Sequence, residues 1–488
     1  MRIITILIIL NFFIPSIAGA ACSGASPNWT CASNCTAAEM QSCINVASSG
    51  DTINIPAGTQ VWSSKVYDYT KSLYIKGAGK SSTTIQANYG NNRILDLAMT
   101  AGGFFYISDL TFDLNQKSYS NGLVSIESVG MGGLTVKIWN VDFNNYSGAA
   151  ALMLSGHPYG VIWNCTFKPY TGTSGGLGVM VTGVSGKGTS QWVSWRSSSA
   201  LGTANTIYFE DCTWDYPDVA QNDLAVDTYA GSRAVIRYST LKNTYLGGHG
   251  LDSTPNGLAP VTFEWYNNKI QKSGNNFRPS WAGNVRGGTG VMHHNTFDSA
   301  WDSVHYFDLQ NFRSCTGTSA SPQWKLCDGT PYYLCSNINT DGSLQSGSIQ
   351  VCSSNSDCGS YTCTAKFCSV TKDQICYVDG DCPGGETCNG TFDGRGASGY
   401  PCRDQIGRGS NQTLQPIYAW SNATTTGVTV TLGQDYCGHM TDVVQENRDY
   451  YNSTMPGYTA YTYPHPLRGM DSSSSLTPPP PTNLRIPQ

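Results

Sequence analysis

Residues 161–167, with the sequence VIWNCTF, carry the pattern that decides the fold. An apolar run is followed by Asn164, two further residues and the large apolar Phe167. The pattern recurs at residues 106–112, 136–143, 207–214, 234–241, 262–270 and 291–297. Its closing apolar residues are 24 to 31 residues apart, except for one interval of 47 residues that we interpret as two repeats.

This repeat predicts an all-β fold: a right-handed parallel β-helix solenoid with an N-terminal capping helix and a small disulfide-rich insertion. Short alternating apolar runs are typical of strands, and the polar residue after each run suits a tight bend. One repeat cannot bury its apolar face alone, so consecutive repeats must stack around a shared core. Crossovers between parallel strands are right-handed as a rule. A propeller is disfavoured by the uneven spacing, and a β-sandwich by the lack of two-residue hairpin turns.

The N-terminal region agrees with a solenoid. Residues 36–47 predict a short amphipathic helix with Met40, Ile44 and Ala47 on one face, suited to cap an open core. The segments 50–59 (GDTINIPAGT) and 72–80 (SLYIKGAGK) follow. They resemble the opening coils of the pectate-lyase-like (pectin lyase-like) β-helix superfamily. That resemblance implies a scaffold that holds or cuts long polysaccharides, and it leaves the activity open.

The ends and the cysteines predict export. An apolar run over residues 3–14 and small residues before Ala20 are typical of a signal peptide cleaved after that residue. The 18 cysteines predict disulfides and hence an extracellular or cell-surface protein. The expected organisation is a signal peptide over 1–20, an N-terminal cap over 21–50, the β-helix over 51–313, a cysteine-rich insertion over 314–403, returning coils and a C-terminal cap over 404–470, and a Ser/Pro-rich tail over 471–488.

The composition limits which classes of binding partner are expected. Charged residues make up 12% of the chain, below the ~25% usual for soluble domains. The net charge of −5 argues against nucleic-acid binding, and no segment after the signal peptide is long and apolar enough to span a membrane. The 28 tyrosines and 12 tryptophans suit either a sugar-binding surface or the core. A polysaccharide substrate or glycan ligand is therefore the expected partner.

Charge is divided between neighbouring repeats. Residues 206–231 contain six acidic and no basic side chains, whereas residues 232–286 contain seven basic and two acidic ones. Equivalent positions of stacked coils lie ~4.8 Å apart. We therefore expect one mixed-charge wall that joins Asp223 to Arg237. The alternative is a set of ion pairs between coils, which stabilise a protein only weakly.

Such a wall suits β-elimination of an acidic polysaccharide, which needs a base and a cation that stabilises the enolate. The superfamily resemblance implies Arg or Lys as the base and calcium held by carboxylates. The candidate bases are Arg237, Lys242 and His249. The candidate calcium ligands are Asp215, Asp218, Asp223 and Asp227. The candidate substrate contacts are Arg233, Arg278, Arg286 and Asp252.

Two other functions stay open. Residues 247–250 (GGHG) resemble the Gly-His-Gly motif of the polygalacturonase family, which implies hydrolysis by paired carboxylates, with Asp223 carried over as one of them. The Arg-Ile-Lys motif of that family is absent. The third hypothesis is a non-catalytic glycan-binding or adhesive surface protein. His293 and His294 are predicted to point to opposite faces of a strand, one of them core-facing or stacked, and not to share a metal.

Overall fold

A computed structural model gives the fold of the chain. It describes residues 21–90, 92–100, 102–119, 122–129, 133–148, 150–171, 176–183, 201–220, 222–229, 231–248, 259–274, 276, 282–298, 307–310, 333–338, 344–352, 356, 362–363, 366–369, 375–376, 379, 383–390, 406–407, 409, 414–433 and 444–469. No helix among these residues is long and apolar enough to cross a bilayer.

The described residues form a parallel β-helix with three faces, which we call the first, second and third ladders. The strands of the first ladder are Asn28–Cys31, Thr52–Asn54, Leu73–Lys76, Phe104–Asp113, Thr135–Tyr146, Tyr159–Trp163, Ile207–Glu210, Arg233–Arg237, Thr262–Tyr266, Thr289–His293, Ile417–Trp420 and Tyr450–Tyr451. Cys22–Ala25 pairs antiparallel with the first of them.

The second ladder shares the two long strands Phe104–Asp113 and Thr135–Tyr146 with the first, so that the two ladders form one 22-stranded sheet of the described chain. Its other strands are Gly58–Trp62, Thr83–Ala87, Thr166–Pro169, Thr213–Asp215, Thr240–Lys242, Lys269–Gln271, Thr296–Phe297 and Asn422–Thr424, with Thr429–Val430 antiparallel on the last.

The third ladder is a separate sheet with ten described strands. They are Val66–Asp68, Leu95–Thr100, Val124–Val129, Leu152–Ser155, Val179–Thr182, Val226–Tyr229, Leu246–Gly248, Gly283–Val285, Phe307–Leu309 and Leu432–Gly433. Two small antiparallel sheets lie outside the solenoid, in the cysteine-rich stretch. Their strands are Tyr333–Ile338, Leu344–Cys352 and Thr362–Cys363, and Lys366–Cys368, Ile375–Cys376 and Cys388–Gly390.

The closing apolar residues of the sequence repeat form one continuous stack inside the second ladder. Phe112, Phe143, Phe167 and Trp214 follow one another with ring centroids 5.4, 4.9 and 5.2 Å apart. All four side chains are fully buried. Burying one such side chain contributes roughly 1.5–3 kcal/mol to the stability of the fold. The closing residues of the predicted repeat are therefore an important part of the core.

The polar residues of the repeat form the bend between the first and second ladders, as predicted. Eight stacked bend residues have φ between 51° and 58°: Asp109, Asn140, Asn164, Asp211, Tyr238, Asn267, His294 and Ser421. Asn and Asp tolerate this left-handed conformation best. At each bend the chain turns sharply, so the next residue points into the core.

Three of these inward residues form an asparagine ladder. Asn295 accepts hydrogen bonds at 3.1 Å from both the backbone and the side-chain nitrogen of Asn268. It donates at 2.9 Å to the side chain of Asn422 and at 2.8 Å to the carbonyl of Trp265. Buried backbone groups at consecutive bends are therefore satisfied by side chains of the neighbouring coil.

The 47-residue interval holds one coil and not two, so this expectation was wrong. Tyr159–Trp163 pairs directly with Ile207–Glu210, and Thr166–Pro169 pairs directly with Thr213–Asp215. Among the described residues between them, the third ladder has one strand, Val179–Thr182. A long connection after that strand adds length without adding a coil, and loop length has little effect on whether coils can stack.

The N-terminal cap is the predicted helix. It spans Ala37–Val46 and begins at Thr36, whose hydroxyl accepts from the backbone of Glu39, while the Glu39 carboxylate accepts from the backbone of Thr36. Met40 and Ile44 are buried against the first coil. Disulfides join Cys22 to Cys43 and Cys31 to Cys35 and fasten this cap.

Replacing Asn295 by Ala tests the asparagine ladder. The change leaves buried hydrogen-bonding groups of Asn268 and Trp265 without partners, so the free energy of unfolding is expected to fall by about 1–3 kcal/mol. Urea unfolding followed by circular dichroism measures it. Thr296→Ala, at an exposed neighbouring position, is the control and is expected to change the value by less than ~0.5 kcal/mol. Equal losses in both variants would contradict the role of the ladder.

Candidate functional site

Polar side chains on the outer side of the third ladder come together in the middle of the solenoid. The register of this ladder places Met180, Asp227, Gly247 and Asn284 side by side on four consecutive coils. Residues on either side of each of them along the strand point into the core. The outer row therefore brings together residues that are far apart in sequence.

Three residues of this row, Met180, Asp227 and Asn284, line a cavity of about 360 Å³. The residues that line the cavity are Gly148, Leu177, Met180, Asp223, Leu224, Asp227, Tyr245, Gly248, Asn284 and Arg286. Three residues predicted from sequence, Asp223, Asp227 and Arg286, thus meet in one place. Tyr245 and Asn284 were missed, although Tyr245 lies only two positions before Gly247, where the GGHG stretch begins.

Steric crowding explains why Gly247, in the GGHG stretch, is a glycine. A Cβ on Gly247 would lie 2.1 Å from the side-chain oxygen of Asn284 and 2.4 Å from a methyl of Leu224. The bare backbone therefore lets the Asn284 side chain lie across the strand and reach the cavity. Crowding alone accounts for the glycine at this position, without a catalytic role.

Tyr245 is held in its protonated form. Burial raises the pKa of its phenol, and the negative charges of Asp223 and Asp227 raise it further, while Arg286 opposes them. Among these charges, Asp223 has the largest effect. At neutral pH the phenol is therefore neutral and can donate a hydrogen bond within the cavity.

Asn284, a residue that lines the cavity, has an unsatisfied amide oxygen. The side chain is buried, and its amide nitrogen donates to Gln310 at 3.5 Å. Its amide oxygen has no hydrogen-bond partner. Buried polar atoms are usually paired, and an unpaired one is often completed by a ligand, an ion or water.

The four predicted calcium ligands do not all come together. Asp215 lies 2.9 Å from the ammonium of Lys242, and Asp218 accepts from the backbone and side chain of Asn276. Asp223 and Asp227 alone share the cavity. No three His, Cys, Asp or Glu side chains converge as a metal site anywhere in the described chain.

The donors that remain in the cavity still have the chemistry that calcium prefers. Asp223 and Asp227 offer carboxylate oxygens, and Asn284 offers its unpaired amide oxygen. Calcium binds hard oxygen ligands and completes its shell with backbone oxygens and water. The donor types, two carboxylates and one amide, therefore match those that calcium binds.

Arg237, the first candidate base, lies elsewhere. Its side chain is fully buried on the outer side of the first ladder. It donates to Glu210 at 2.9 Å, to the hydroxyl of Tyr266 at 2.7 Å and to the carbonyl of Thr462 at 2.7 Å. The expected wall joining Asp223 to Arg237 is not formed, because Asp223 lies just before a strand of the third ladder and Arg237 lies on the first ladder.

The other candidates are dispersed. Lys242 lies on the second ladder, paired with Asp215. Arg233 begins a first-ladder strand, and burial lowers its pKa to about 10. His249, Asp252 and Arg278 fall outside the described residues.

The C-terminal segment 455–469 explains why Arg237 is buried. It lies across the outer side of the first ladder, where Arg468 donates to Glu210 at 2.9 Å and Tyr463 stacks on Tyr238 with centroids 3.7 Å apart. The Glu210 carboxylate is thereby held between two guanidinium groups inside the protein. A buried charge is tolerated only with such partners.

His293 and His294 meet, contrary to the predicted opposite orientation. Their Nδ1 atoms lie 2.9 Å apart, because His294 occupies the left-handed bend and its side chain does not alternate as in a strand. The predicted stacking is confirmed, with His293 between the rings of Tyr266 and Trp420 at 4.6 and 4.3 Å.

Glu210→Ala is expected to cost about 3–5 kcal/mol of unfolding free energy, because it leaves buried Arg237 without its carboxylate. The matched control is Asp215→Ala, which breaks the exposed pair with Lys242 and is expected to cost less than ~1 kcal/mol. Chemical denaturation measures both. A loss for Glu210→Ala no larger than that of the control would contradict the buried ion pair.

The pH dependence of stability should reflect buried histidine. Burial and nearby Arg237 and Arg468 lower the pKa of His465 to about 3 from its ordinary 6.5. Between pH ~6.5 and 3 the unfolded chain binds a proton at His465 that the folded chain does not. The free energy of unfolding is therefore unaffected by this histidine above pH ~6.5 and falls as the pH is lowered toward 3. His465→Asn should flatten this part of the curve of melting temperature against pH. A parallel curve for the variant would contradict the lowered pKa.

Comparison with known proteins finds only distant structural likenesses. No protein-family model and no curated protein sequence matches the chain. Similar solved structures include ORF18 of Geobacillus virus E2 (13% identity, TM-score 0.28, covering 56% of this chain), a PL6 family polysaccharide lyase from Pseudopedobacter saltans (11%, 0.36, 88% of this chain and 91% of the lyase) and the catalytic domain of a GH87 alpha-1,3-glucanase (14%, 0.22, 59% of this chain). The chain spans 56% of the length of the viral protein and of the glucanase. At these TM-scores the likenesses carry no argument about the fold or the activity of this chain.

Proposed function

We propose that this chain is an exported polysaccharide-active enzyme that cleaves an acidic polysaccharide by β-elimination in the cavity on the third ladder. One observation carries the proposal: a cationic side chain, a protonated phenol and two carboxylates line the same cavity. They are Arg286, Tyr245, Asp223 and Asp227. A uronate unit in this cavity would have a cation for its carboxylate and a proton donor beside it.

The reaction breaks the C–O bond to the leaving sugar after a base removes the proton next to the uronate carboxylate. The negative charge that develops on that carboxylate is stabilised by a positioned cation. Arg286 supplies a planar guanidinium that can bind a carboxylate through two parallel hydrogen bonds. Tyr245, kept protonated by burial and Asp223, donates a proton to the leaving oxygen.

The proton acceptor is assigned from the sequence. Arg237 and Lys242 are paired with carboxylates on other ladders, which leaves His249 among the three candidates. It directly follows Gly248, a residue that lines the cavity. Neutral imidazole is a base suited to near-neutral pH.

Calcium is the proposed cofactor. Asp223, Asp227 and Asn284 would hold it through oxygen atoms. When bound, the ion supplies further positive charge against the uronate carboxylate. Arg286 orients the same carboxylate, and Tyr245 donates its proton independently of the metal.

Hydrolysis is the second candidate, and it is favoured by the presence of two carboxylates in one cavity. Glycoside hydrolases use such a pair, one as acid and the other as base or nucleophile. Asp223 and Asp227 would take these roles. A protein that binds glycan without cleaving it is the remaining possibility, since the same polar groups could simply hold sugar hydroxyls.

The products separate these functions. The purified protein is incubated with a panel of uronate-containing polysaccharides, and both ultraviolet absorbance and reducing ends are measured. β-Elimination predicts that the absorbance of the unsaturated product rises together with the reducing ends. Reducing ends without absorbance would indicate hydrolysis and contradict the proposal, and retention on the glycan with neither signal would indicate a binder.

Arg286→Ala is expected to lower kcat/KM by roughly 10²–10³-fold, as loss of one positioned electrostatic group does in other enzymes. Lys168→Ala is the matched control, because this exposed cation lies on the second ladder, 3.7 Å from Asp215. It is expected to leave the rate unchanged. Full activity of Arg286→Ala in a folded protein would remove the cavity from the mechanism.

Asp227→Asn is expected to weaken calcium binding at least tenfold, because the site loses one of its two carboxylates. Isothermal titration with CaCl₂ measures this without reference to activity. Asp215→Asn serves as the control, since its carboxylate is paired with Lys242 outside the cavity. Equal affinities in the wild type and Asp227→Asn would exclude this calcium site.

A further inference from the structure

Two cysteines face each other across consecutive coils of the solenoid. Cys165 and Cys212 directly follow the left-handed bend residues Asn164 and Asp211. The strands on both sides of the bend are in register, so the two cysteines occupy equivalent positions. Such positions are ~4.8 Å apart in neighbouring parallel strands, which falls within the Cα separation of 4.4–6.8 Å usual for disulfides.

Both side chains are thiols in this structure and lie in the core. The sulfur of Cys165 donates to the carbonyl of Trp163 at 3.3 Å, and that of Cys212 donates to the carbonyl of Glu210 at 3.4 Å. The exposed fractions of Cys165 and Cys212 are 2% and 1%. Burial and the neighbouring Cys165 raise the pKa of the Cys212 thiol, so it reacts poorly once the coils are closed.

Neither cysteine has another partner within reach in its row. The equivalent inward positions are Val141 before Cys165 and Ser239 after Cys212. The four cysteines of the N-terminal cap are already paired with each other. Free thiols are uncommon in exported proteins, where oxidising conditions favour disulfides.

We propose that Cys165 and Cys212 form a disulfide that joins two consecutive coils of the exported protein. The bond forms by exchange with an external disulfide, such as that of a thiol oxidoreductase. The S–S bond of the external disulfide is broken and reduced to two thiols. In exchange, the thiols of Cys165 and Cys212 lose their hydrogens and form one S–S bond. Because the folded core shields both sulfurs, the exchange takes place before these coils close.

The bond would fasten the coil that contributes to the cavity. The 47-residue loop that it closes contains Val179–Thr182, and Leu177 and Met180 of this loop line the cavity. A crosslink over a loop of this length stabilises mainly by restricting the unfolded chain. The proposal rests on the predicted export and not on the proposed reaction, so either can fail without the other.

Peptide mapping tests the bond directly. The full chain is produced in an oxidising compartment, denatured with iodoacetamide but without reductant, and digested for mass spectrometry. The expected result is a peptide pair linked through Cys165 and Cys212, two hydrogen masses lighter than the sum of its parts, which separates after reduction. Alkylation of both cysteines, or a link from either to another cysteine, would overturn the proposal.

Stability of alanine variants gives an independent measurement. Cys165→Ala and Cys212→Ala each remove the crosslink, so both should lower the melting temperature, and the double variant should lower it no further than about the larger single loss. A double variant that loses clearly more than either single variant would contradict the crosslink. If a variant does not fold, peptide mapping of the unchanged chain still decides the question.

Discussion

The structure depends on parallel pairing of consecutive coils in register. Each residue lies above its counterpart in the previous coil, so the residue type or backbone conformation at one position tends to recur along the solenoid. At the bend, this produces a row of left-handed residues and the inward ladder of Asn268, Asn295 and Asn422. Inside the second ladder, it produces the continuous stack of aromatic rings. A single coil has neither feature, because both need a neighbour.

The same constraint decides which charges can cooperate. Outer residues on one ladder approach each other along the solenoid axis, as Asp227 and Asn284 do. Residues on different ladders point in different directions, however close they are in sequence. Arg237 follows Asp223 by only 14 positions, yet its charge is neutralised by Glu210 under the C-terminal segment. The basic and acidic stretches therefore divide into a buried ion cluster, surface pairs and one cavity.

Local periodicity made much of the fold predictable. The alternation, the polar bend residues and the closing apolar residues each reflect a requirement that a single coil already imposes, so they are visible in one repeat such as 161–167. The capping helix was predictable for the same reason, since its N-cap and apolar face are local. The 47-residue interval misled because periodicity cannot distinguish an added coil from a long connection.

The site was only partly predictable, since it depends on contacts that sequence spacing does not encode. Asp223, Asp227 and Arg286 were found through charge alone, whereas uncharged Asn284 carries no such signal. Burial of Arg237 requires a carbonyl from Thr462, 225 positions away. The sequence near Arg237 does not predict this contact. Charge clusters therefore indicated the right coils but not the ladder on which each side chain lies.

The most direct test of the central claim is a crystal structure of the protein soaked with an acidic oligosaccharide. The coil register and the polar lining predict sugar density in the cavity of the third ladder, with a carboxylate within hydrogen-bonding distance of Arg286. Sugar bound on another face, with this cavity left empty, would contradict the account.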